Sequence, residues 1–356
     1  MLASAALLTG CTAKSQTSSN IIIPTKKEKL GVALVGLGYY SKGLLAPALQ
    51  LTEHCELKGI VTGTPNKVGK WQKEYDISDK NVYNYENMHQ IANNDEIDVI
   101  YIVLPTGLHA KYAIIAANTG KHVWCEKPMA MNVPECQAII DACNKNKVKL
   151  SVGYRMQHEP NTQTVMGYAT SKPFGNIQSM FAYAGYAGGG GSGWRFEKNM
   201  GGGALYDMGV YTINGIRHAL QEEPILVKSA KQFTDRPNLF KEVDETTEYE
   251  LVFASDITAI GKTSVGNGYN HLKVTCDKGW YELQPMQTYS GVKGQRSDGI
   301  LLDKSIQNQQ ARQMDNDALA ILNNTSVLVP GEDGLKDIKI LNAIQESALT
   351  KREIKL

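Results

Sequence analysis

The strongest constraint on the fold is an alternation of short apolar runs with amphipathic stretches over residues 30–155. The runs "GVALVGLG" (31–38), "CELKGIVTGT" (55–64) and "IDVIYIVLP" (97–105) are each followed by a segment with helical spacing. The pattern continues through "KHVWCEKP" (121–128) and "VKLSVGYR" (148–155). Apolar runs of this length typify strands that are buried on both faces. Repeated βα units predict an α/β domain built on a doubly wound parallel sheet.

The pattern changes after residue 155. Longer strand candidates such as "NIQSMFAYAGYA", "TTEYELVFA" and "TAIGKTSVGN" follow one another with turns and little helix between them. This arrangement predicts a second domain, residues 156–356, around a mostly antiparallel sheet. The chain closes with two helical segments, near 309–323 and 332–348.

Composition excludes several classes of function. The 356 residues include 37 Lys and Arg against 36 Asp and Glu, so no net field attracts nucleic acid or acidic lipid. The six cysteines form no CxxC pair, and we therefore expect no metal site. No run of about 18 apolar residues is present, so we expect no membrane-spanning helix.

The first residues, "MLASAALLTGC", resemble a bacterial lipobox that ends in Cys11. We expect residues 1–29 to be a lipoprotein-type signal and linker, with Cys11 lipidated and the protein exported to the periplasm or outer membrane. No Lys or Arg precedes Cys11, although secretory signals begin with a basic region. If the signal does not function, the protein is cytoplasmic and the segment is a frayed terminus.

Glycines follow the first strand, where a parallel sheet binds nucleotides. Gly36 and Gly38 let the backbone approach a pyrophosphate at a helix N-terminus. Leu37, Tyr39 and Tyr40 belong to the same turn. Ser41 stands where the third glycine of the fingerprint is usual, and a purely structural tight turn is the alternative.

The end of the second strand indicates which nucleotide binds. NAD enzymes usually place an acidic residue there for the ribose hydroxyls. This chain has "VTGTPNK" instead, with Thr62, Gly63, Thr64 and Lys67. Hydroxyls and a cation suit a 2′-phosphate, so the sequence favours NADP over NAD. The alternative is a solvated loop without a ligand.

Polar residues also end the next two strands. "LPTGLHA" supplies Leu104, Pro105, Thr106 and His109, and "CEKP" supplies Glu126 and Lys127. Lysine is seldom buried without a partner, and the proline after Lys127 stops the strand. Lys127 is therefore a candidate for the reaction centre.

The segment "NMGGGALYDMGVYTINGIRHAL" (199–220) allows two interpretations. Helical spacing puts Asp207, Tyr211 and His218 near one stripe. This is either a core helix that carries a tyrosine or an acid/base group beside a carboxylate. In the second interpretation we expect the three glycines, 201–203, to let the backbone pass close to cofactor or substrate.

Residues 30–356 resemble the Gfo/Idh/MocA oxidoreductases, especially the glucose–fructose oxidoreductase branch. The resemblance rests on six motifs taken together: "GLG", "LPTGLHA", "EKP", "GYR", "WRF" and "GGGALYDMGVYTINGIRHAL". The resemblance implies a Rossmann domain followed by an open-faced sheet used for assembly into a homodimer or homotetramer. Many relatives have histidine where Tyr211 stands, whereas this branch has tyrosine.

The resemblance also implies roles for individual residues. Lys127, Asp207 and Tyr211 carry the chemistry, and Tyr154 and Arg155 border the sugar pocket. A lysine ammonium about 4 Å away stabilises a phenolate by roughly 4 kcal/mol at an effective dielectric near 20, so we expect Lys127 to activate Tyr211, with Asp207 orienting the lysine or a sugar hydroxyl. The residues expected to line the cofactor are Gly36, Leu37, Gly38, Tyr39, Tyr40, Thr62, Gly63, Thr64, Lys67, Tyr85, Leu104, Pro105, Thr106, His109, Glu126, Lys127, Trp194 and Arg195.

The expected function is an NADP-dependent sugar oxidoreductase that transfers hydride between an aldose, or a related sugar, and the nicotinamide. The cofactor would be tightly held and recycled by a second sugar. Two alternatives are a non-catalytic surface lipoprotein that binds carbohydrate, and a family glycosidase that uses transient oxidation.

Overall fold

The computed structural model describes residues 27–188 and 193–356. These residues form two sheets with helices packed against them. Cys11 and the predicted signal and linker up to residue 26 lie outside the described residues. No helix in the described ranges is long and apolar enough to cross a membrane.

The first sheet is the predicted doubly wound sheet. Its strands are β1 (Leu30–Val35), β2 (Cys55–Val61), β3 (Val82–Tyr83), β4 (Val99–Ile102), β5 (His122–Cys125) and β6 (Leu150–Val152). They pair in parallel in the order β3-β2-β1-β4-β5-β6. The α-helices between them are α1 (Ala46–Leu49), α2 (Val68–Tyr75), α3 (His109–Asn118) and α4 (Val133–Lys145). The strand order reverses between β1 and β4, and ligands bind beyond the carboxyl ends of the strands at such a point.

The second sheet is mostly antiparallel, as predicted. Helix α5 (Pro160–Ser171) precedes it, and its order is β14-β13-β12-β11-β7-β10-β9-β8-β15. Strands β7 and β10 pair in parallel and the other neighbours antiparallel. The strands are β7 (Ile177–Gly185), β8 (Pro224–Phe233), β9 (Thr246–Phe253), β10 (Thr258–Ser264), β11 (Asn270–Cys276), β12 (Gly279–Leu283), β13 (Gly294–Arg296), β14 (Leu301–Leu302) and β15 (Ile354–Lys355).

Helices α6 (Val210–Leu220) and α8 (Gly331–Thr350) pack on the second sheet. Strand β10 alternates between buried Ala259 and outward-facing Ile260, which is 47% exposed. One face of this sheet is therefore packed, and apolar side chains remain on the other.

Helix α7 (Gln309–Leu322) joins the core of the first domain. Its Ala311, Met314 and Ala318 are buried in one cluster with Val32 and Leu34 of β1. The predicted boundary at residue 155 thus marks where the parallel sheet ends along the chain, while the core around that sheet includes a later helix.

Candidate active site

The glycine turn after β1 is shaped by close backbone approach. Gly36 has a φ of +94°, and a Cβ there would lie 2.4 Å from the Val103 carbonyl oxygen. Gly38 is different, because a Cβ there would meet no atom within 4 Å. The Ser41 hydroxyl donates to the Gly36 carbonyl at 2.5 Å and so fixes the turn. Gly36 is needed for the fold, and Gly38 leaves open space beside the backbone.

A cationic cleft of about 290 Å³ opens beside this turn. The Lys67 ammonium crosses it and donates to the Leu37 carbonyl at 2.9 Å. None of the described residues that line the cleft is acidic. They are Leu37, Gly38, Tyr39, Lys42, Asn66, Lys67, Lys70 and Trp71. The sequence prediction missed Lys42, Asn66 and Lys70, although Lys70 lies one turn beyond Lys67 on a helix, a spacing that puts both on one face.

The turn after β2 lies beside the cleft. The Thr62 hydroxyl accepts a hydrogen bond from the Thr64 backbone N–H at 3.1 Å. A Cβ on Gly63 would lie 2.9 Å from the Tyr85 ring. Burial raises the pKa of Tyr85 above its usual value, so its phenol stays neutral here. Tyr85 covers this turn.

His109 does not face the cleft as a free ligand. Its Nε2 lies 2.7 Å from the Leu104 carbonyl oxygen, and its Nδ1 lies 2.8 Å from the Pro128 carbonyl oxygen. Burial lowers the pKa of His109. A neutral ring donates to only one of two carbonyls at a time. His109 therefore ties together the ends of β4 and β5, and Pro105 and Thr106 begin the turn between Leu104 and this ring.

The three predicted catalytic residues lie together. Lys127 follows β5, and Asp207 lies in the π-helical turn Leu205–Gly209, which leads into α6 and Tyr211. The Lys127 ammonium donates to the backbone carbonyl of Asp207 at 3.1 Å and lies 4.4 Å from the centroid of the Tyr211 ring. The lysine is therefore held over the face of the ring, while the phenol oxygen bonds elsewhere.

That oxygen accepts from Arg155. The guanidinium Nη1 donates to the Tyr211 hydroxyl at 2.7 Å, and Nη2 donates to Gln287 at 3.4 Å. Tyr289 lies over the other side, 4.8 Å from the guanidinium carbon to the ring centroid. Gln287 and Tyr289 belong to the loop 284–293 between β12 and β13, which carries no motif. Sequence reasoning placed Arg155 near the pocket but missed both loop residues.

The Asp207 carboxylate does not contact the lysine ammonium that it was expected to orient. Its Oδ2 accepts from Arg195 Nε at 2.9 Å and from the Tyr186 hydroxyl at 2.9 Å. Arg195 also lies over the Trp194 ring, at 4.5 Å. Burial is the main cause that raises the pKa of Tyr186 above its usual value, and the negative charge of Asp207 raises it further. The carboxylate thus links the "WRF" turn to the reaction centre, and no motif identifies Tyr186.

Glu126 lies beneath this cluster. It is buried, and its Oε1 accepts from the Tyr101 hydroxyl at 2.6 Å. Gln313 of α7 donates to the same hydroxyl at 3.2 Å. Burial raises the pKa of Glu126, against the opposing effects of Tyr101 and Lys127. Tyr40 is a close electrostatic neighbour of Glu126, Arg155 and Tyr211.

Models of known families match both domains. The model described as "Oxidoreductase family, NAD-binding Rossmann fold" matches residues 30–154, and the GFO/IDH/MocA C-terminal domain matches residues 163–282. The chain belongs to the GFO/IDH/MocA family. It is therefore an NAD(P)-dependent oxidoreductase, which confirms the predicted resemblance.

Individual relatives cover nearly the whole chain. The solved structure of aldose-aldose oxidoreductase from Caulobacter crescentus, complexed with glycerol, is 33% identical, covers 92% of this chain and 100% of that chain, and superposes with a TM-score of 0.88. The D-xylose 1-dehydrogenase [NADP(+)] of Haloarcula marismortui is 26% identical over 91% of this chain and 92% of that protein. D-xylose 1-dehydrogenase (NADP(+)) 2 of Haloferax volcanii is 24% identical over 92% of this chain and 98% of that protein.

One expectation taken from the family pattern needs correction. Tyr154 does not border the pocket around Tyr211. It is 1% exposed, and its hydroxyl neighbours the Asp337 carboxylate of α8, because the chain leaves β6 and turns at this point. Burial and Asp337 raise the pKa of Tyr154.

The three glycines, 201–203, allow close packing within the protein. A Cβ on Gly201 would lie 2.7 Å from the Thr106 side chain, and one on Gly203 would lie 2.2 Å from the Asp244 carboxylate. Both residues have positive φ, +76° and +94°. They allow close packing within the protein and against the turn after β4. The family's glycine segment therefore positions α6, and through it Tyr211.

Proposed function

We propose that this enzyme transfers hydride between a CH–OH group of an aldose, or a related sugar, and NADP, with Tyr211 as the acid/base group. One observation carries the proposal. The Tyr211 phenol is held between two cations, Lys127 after β5 and Arg155 after β6. Both residues lie at the carboxyl edge of the parallel sheet, the same edge as the glycine turn beside the cationic cleft. The names of the relatives, a xylose dehydrogenase and an aldose-aldose oxidoreductase, support a sugar as the substrate.

The cleft fits NADP. Three lysines, Lys42, Lys67 and Lys70, surround it, and no carboxylate among the described lining residues would oppose a 2′-phosphate. Gly38 leaves room for a pyrophosphate to approach the backbone. Two relatives named as NADP(+) enzymes point in the same direction. Thr62 and Thr64 would meet the adenosine ribose at the end of β2.

When bound, the nicotinamide ring would exchange hydride with the sugar carbon. Tyr211 takes the proton from the sugar hydroxyl during oxidation and returns it during reduction. Lys127, over the ring, and Arg155, at the oxygen, favour the negative charge that forms on the phenol. The Asp207 carboxylate, fixed by Arg195 and Tyr186, accepts a hydrogen bond from a neighbouring sugar hydroxyl. Positioned proton transfer of this kind contributes on the order of 10² to 10⁴ in rate.

Replacement of Tyr211 by Phe tests the assignment. Tyr211→Phe keeps the ring under Lys127 but removes the oxygen, so turnover of xylose or glucose with NADP should fall to background while NADP binding persists. Lys70→Ala is the matched test of the cleft, and it should weaken NADP while leaving NAD binding unchanged. Full activity of Tyr211→Phe would remove the proposed base, and equal loss of NAD and NADP in Lys70→Ala would contradict the 2′-phosphate site.

We further propose that the nucleotide is retained and recycled, so that one sugar is oxidised to a lactone and a second sugar is reduced on the same cofactor. The protein should therefore be purified, denatured and examined by mass spectrometry for released nucleotide. Stoichiometric NADP, with conversion of a sugar pair in the absence of added cofactor, is the expected result. Sugar binding without any change in the redox state of NADP would instead favour a carbohydrate-binding protein that has lost catalysis.

Two further predictions concern assembly and location. We propose that copies of the chain pair through the outward face of the second sheet, where Ile225, Phe233 and Ile260 are exposed. Ile260→Glu should then shift the mass in solution to that of a monomer.

We also propose export with a lipid on Cys11, and Cys11→Ser should release the protein from the membrane fraction.

A further inference from the structure

Glu126 is a buried carboxylate at the end of β5 that is held by a chain of hydrogen bonds from the core of the first domain. The Tyr101 hydroxyl donates to its Oε1 at 2.6 Å, and Gln313 of α7 donates to the same hydroxyl at 3.2 Å. All three side chains are buried. Because the Tyr101 oxygen accepts from Gln313, its hydrogen is directed to Glu126, and the chain ends on the carboxylate.

The surroundings leave this carboxylate little room to move. The Lys127 backbone N–H donates to Oε2 at 3.3 Å, so both oxygens accept hydrogen bonds. A Cβ on Gly153 would lie 2.7 Å from Oε1, so the glycine of the "GYR" motif provides space that the carboxylate needs. An ionised carboxyl group accepts at both oxygens, whereas a protonated one donates from one of them. The hydrogen bonds therefore fit the anion.

Glu126 faces two cations of the reaction centre. Burial raises the pKa of Glu126, and hydrogen bonding together with the charges of Lys127 and Arg155 acts against that rise. The other carboxylate of the site, that of Asp207, is paired directly with Arg195 at 2.9 Å. The negative charge of Glu126 therefore balances part of the positive charge of Lys127 and Arg155.

The position of Glu126 places this charge beside the path of the nucleotide. In the proposed complex the pyrophosphate meets the glycine turn after β1 and hydride exchange takes place at Tyr211, so the cofactor runs between them. Tyr40, which belongs to that turn, is an electrostatic neighbour of both Glu126 and Tyr211. A nicotinamide ring carries a positive charge when it is oxidised and none when it is reduced. A fixed anion at this place therefore favours the oxidised ring.

We propose that Glu126, fixed by Tyr101 and Gln313, sets the relative affinity of the enzyme for NADP+ and NADPH by holding a negative charge beside the nicotinamide site. Tyr101 and Gln313 are positioning residues, because they act through the carboxylate. The charge offsets Lys127 and Arg155, which by themselves oppose the binding of a cationic ring. The inference rests on the proposed function for the place of the nicotinamide, and goes beyond it in assigning the balance between the two redox states of the cofactor.

Equilibrium binding tests the inference without sugar or turnover. The dissociation constants of NADP+ and NADPH are measured by calorimetric titration for wild type and Glu126→Gln. Loss of the charge should weaken NADP+ about tenfold relative to NADPH, which raises the potential of the bound cofactor by about 30 mV. Glu282→Gln neutralises a carboxylate on β12 that is as little exposed as Glu126, 7% in each case. It is the matched control and should leave the ratio of the two constants unchanged.

A second pair of variants tests the positioning role. Tyr101→Phe removes the donor to Oε1, so burial favours the neutral acid, and the ratio should change in the same direction by a smaller factor, about threefold. Glu126→Asp keeps the charge and should retain most of the wild-type ratio. Tyr281→Phe removes a hydroxyl from a tyrosine that is as fully buried as Tyr101 but lies in the second sheet, and it should have no effect.

The outcomes separate this inference from the proposed function. Equal weakening of NADP+ and NADPH in Glu126→Gln would overturn the inference, because it is the result expected of a carboxylate that serves only as a hydrogen-bond acceptor. An unchanged ratio in Tyr101→Phe would overturn the role of the tyrosine. A ratio that responds to Glu126→Gln in an enzyme that oxidises no sugar would contradict the proposed function alone.

Discussion

Two arginines in this enzyme are almost equally buried but are neutralised in different ways. Arg155 is 2% exposed and Arg217 is 3% exposed. Arg217, on α6, is surrounded by carboxylates: Nε lies 2.7 Å from Glu223, Nη2 lies 2.9 Å from Asp333, and Nη1 lies 2.5 Å from Asp337. Arg155 has a phenol and an amide instead.

The difference separates a structural cation from a functional one. Arg217 has three carboxylate partners: it is among the causes that lower the pKa values of Glu223 and Asp333, and it opposes the rise that burial causes in the pKa of Asp337. This cluster therefore needs no further partner. It joins α6 to α8 and fixes the helix that carries Tyr211. A phenol, in contrast, is anionic only where a neighbour favours that state. The charge of Arg155 is therefore available to influence a reacting group, whereas the charge of Arg217 is already compensated.

The largest effect is expected from removing the structural cation. Arg217→Met leaves Asp333 and Asp337 facing each other, one of them fully buried. Loss of one partner from a buried ion pair costs about 3–5 kcal/mol, so the free energy of unfolding in urea should fall by that amount at pH 7. The deficit should shrink below about pH 4, where carboxyls take up protons. A variant as stable as wild type would show that Arg217 is not structural.

A third buried ionisable group, Asp317 of α7, sharpens the comparison because a carboxyl can become neutral by binding a proton. Burial raises the pKa of Asp317 from 3.8 to about 7. A raised pKa gives stability that is complete below the unfolded value and is lost as the pH rises to 7. The difference between a pKa of 3.8 in the unfolded chain and about 7 in the folded protein corresponds to roughly 4 kcal/mol in the free energy of unfolding.

Asp317→Asn removes this dependence while keeping the shape of the side chain. The variant should equal wild type in unfolding free energy near pH 4, exceed it progressively between pH 4 and 7, and keep a constant advantage above pH 7, of at most about 4 kcal/mol. Denaturant titrations at several pH values measure the difference. A difference that does not change with pH would show that Asp317 is already ionised at low pH.

Arg155→Met should have a much smaller effect on stability than Arg217→Met. Removal of Arg155 breaks no direct contact with a carboxylate, because its hydrogen bonds go to the Tyr211 hydroxyl and the Gln287 amide oxygen. Replacement of a buried ion by an apolar side chain of similar volume is often neutral or stabilising, so the unfolding free energy should change by less than about 1 kcal/mol. A loss as large as that of Arg217→Met would abolish the distinction between the two arginines.

The sequence predicted the parts of the molecule in which local pattern decides the structure. The βα alternation gave the parallel sheet, and the polar residues at the strand ends gave Lys127 and the glycine turn. The four-residue spacing of Asp207 and Tyr211 predicted that they share one helix face, and the family resemblance supplied their expected roles. These features depend on residues close together in the chain.

Features that depend on contacts distant in sequence were not predicted. Gln287 and Tyr289 lie more than 130 positions after Arg155, on a loop without a motif, and only the pairing of β11, β12 and β13 brings that loop to the site. The family resemblance placed Tyr154 at the pocket together with Arg155, but adjacent residues leaving a strand point in different directions. The packing of Gly201 and Gly203 against Thr106 and Asp244 was not predicted, because these neighbours are also distant in the chain.

The smallest effect is expected at the ring above Arg155. Tyr289 is 45% exposed, and a cation over an exposed aromatic face gains about 0.5–1 kcal/mol. Tyr289→Leu should therefore lower kcat/KM by only about two- to fivefold at neutral pH, because the hydrogen bond from Arg155 to the Tyr211 oxygen remains. Lys273, 3.9 Å from the Trp280 ring centroid, provides the matched control: Trp280→Leu removes a similar contact outside the site and should leave kcat/KM unchanged. A loss of activity in Tyr289→Leu as large as that of Tyr211→Phe would mean that the ring contacts the sugar directly, and the role of Tyr289 would then be substrate binding.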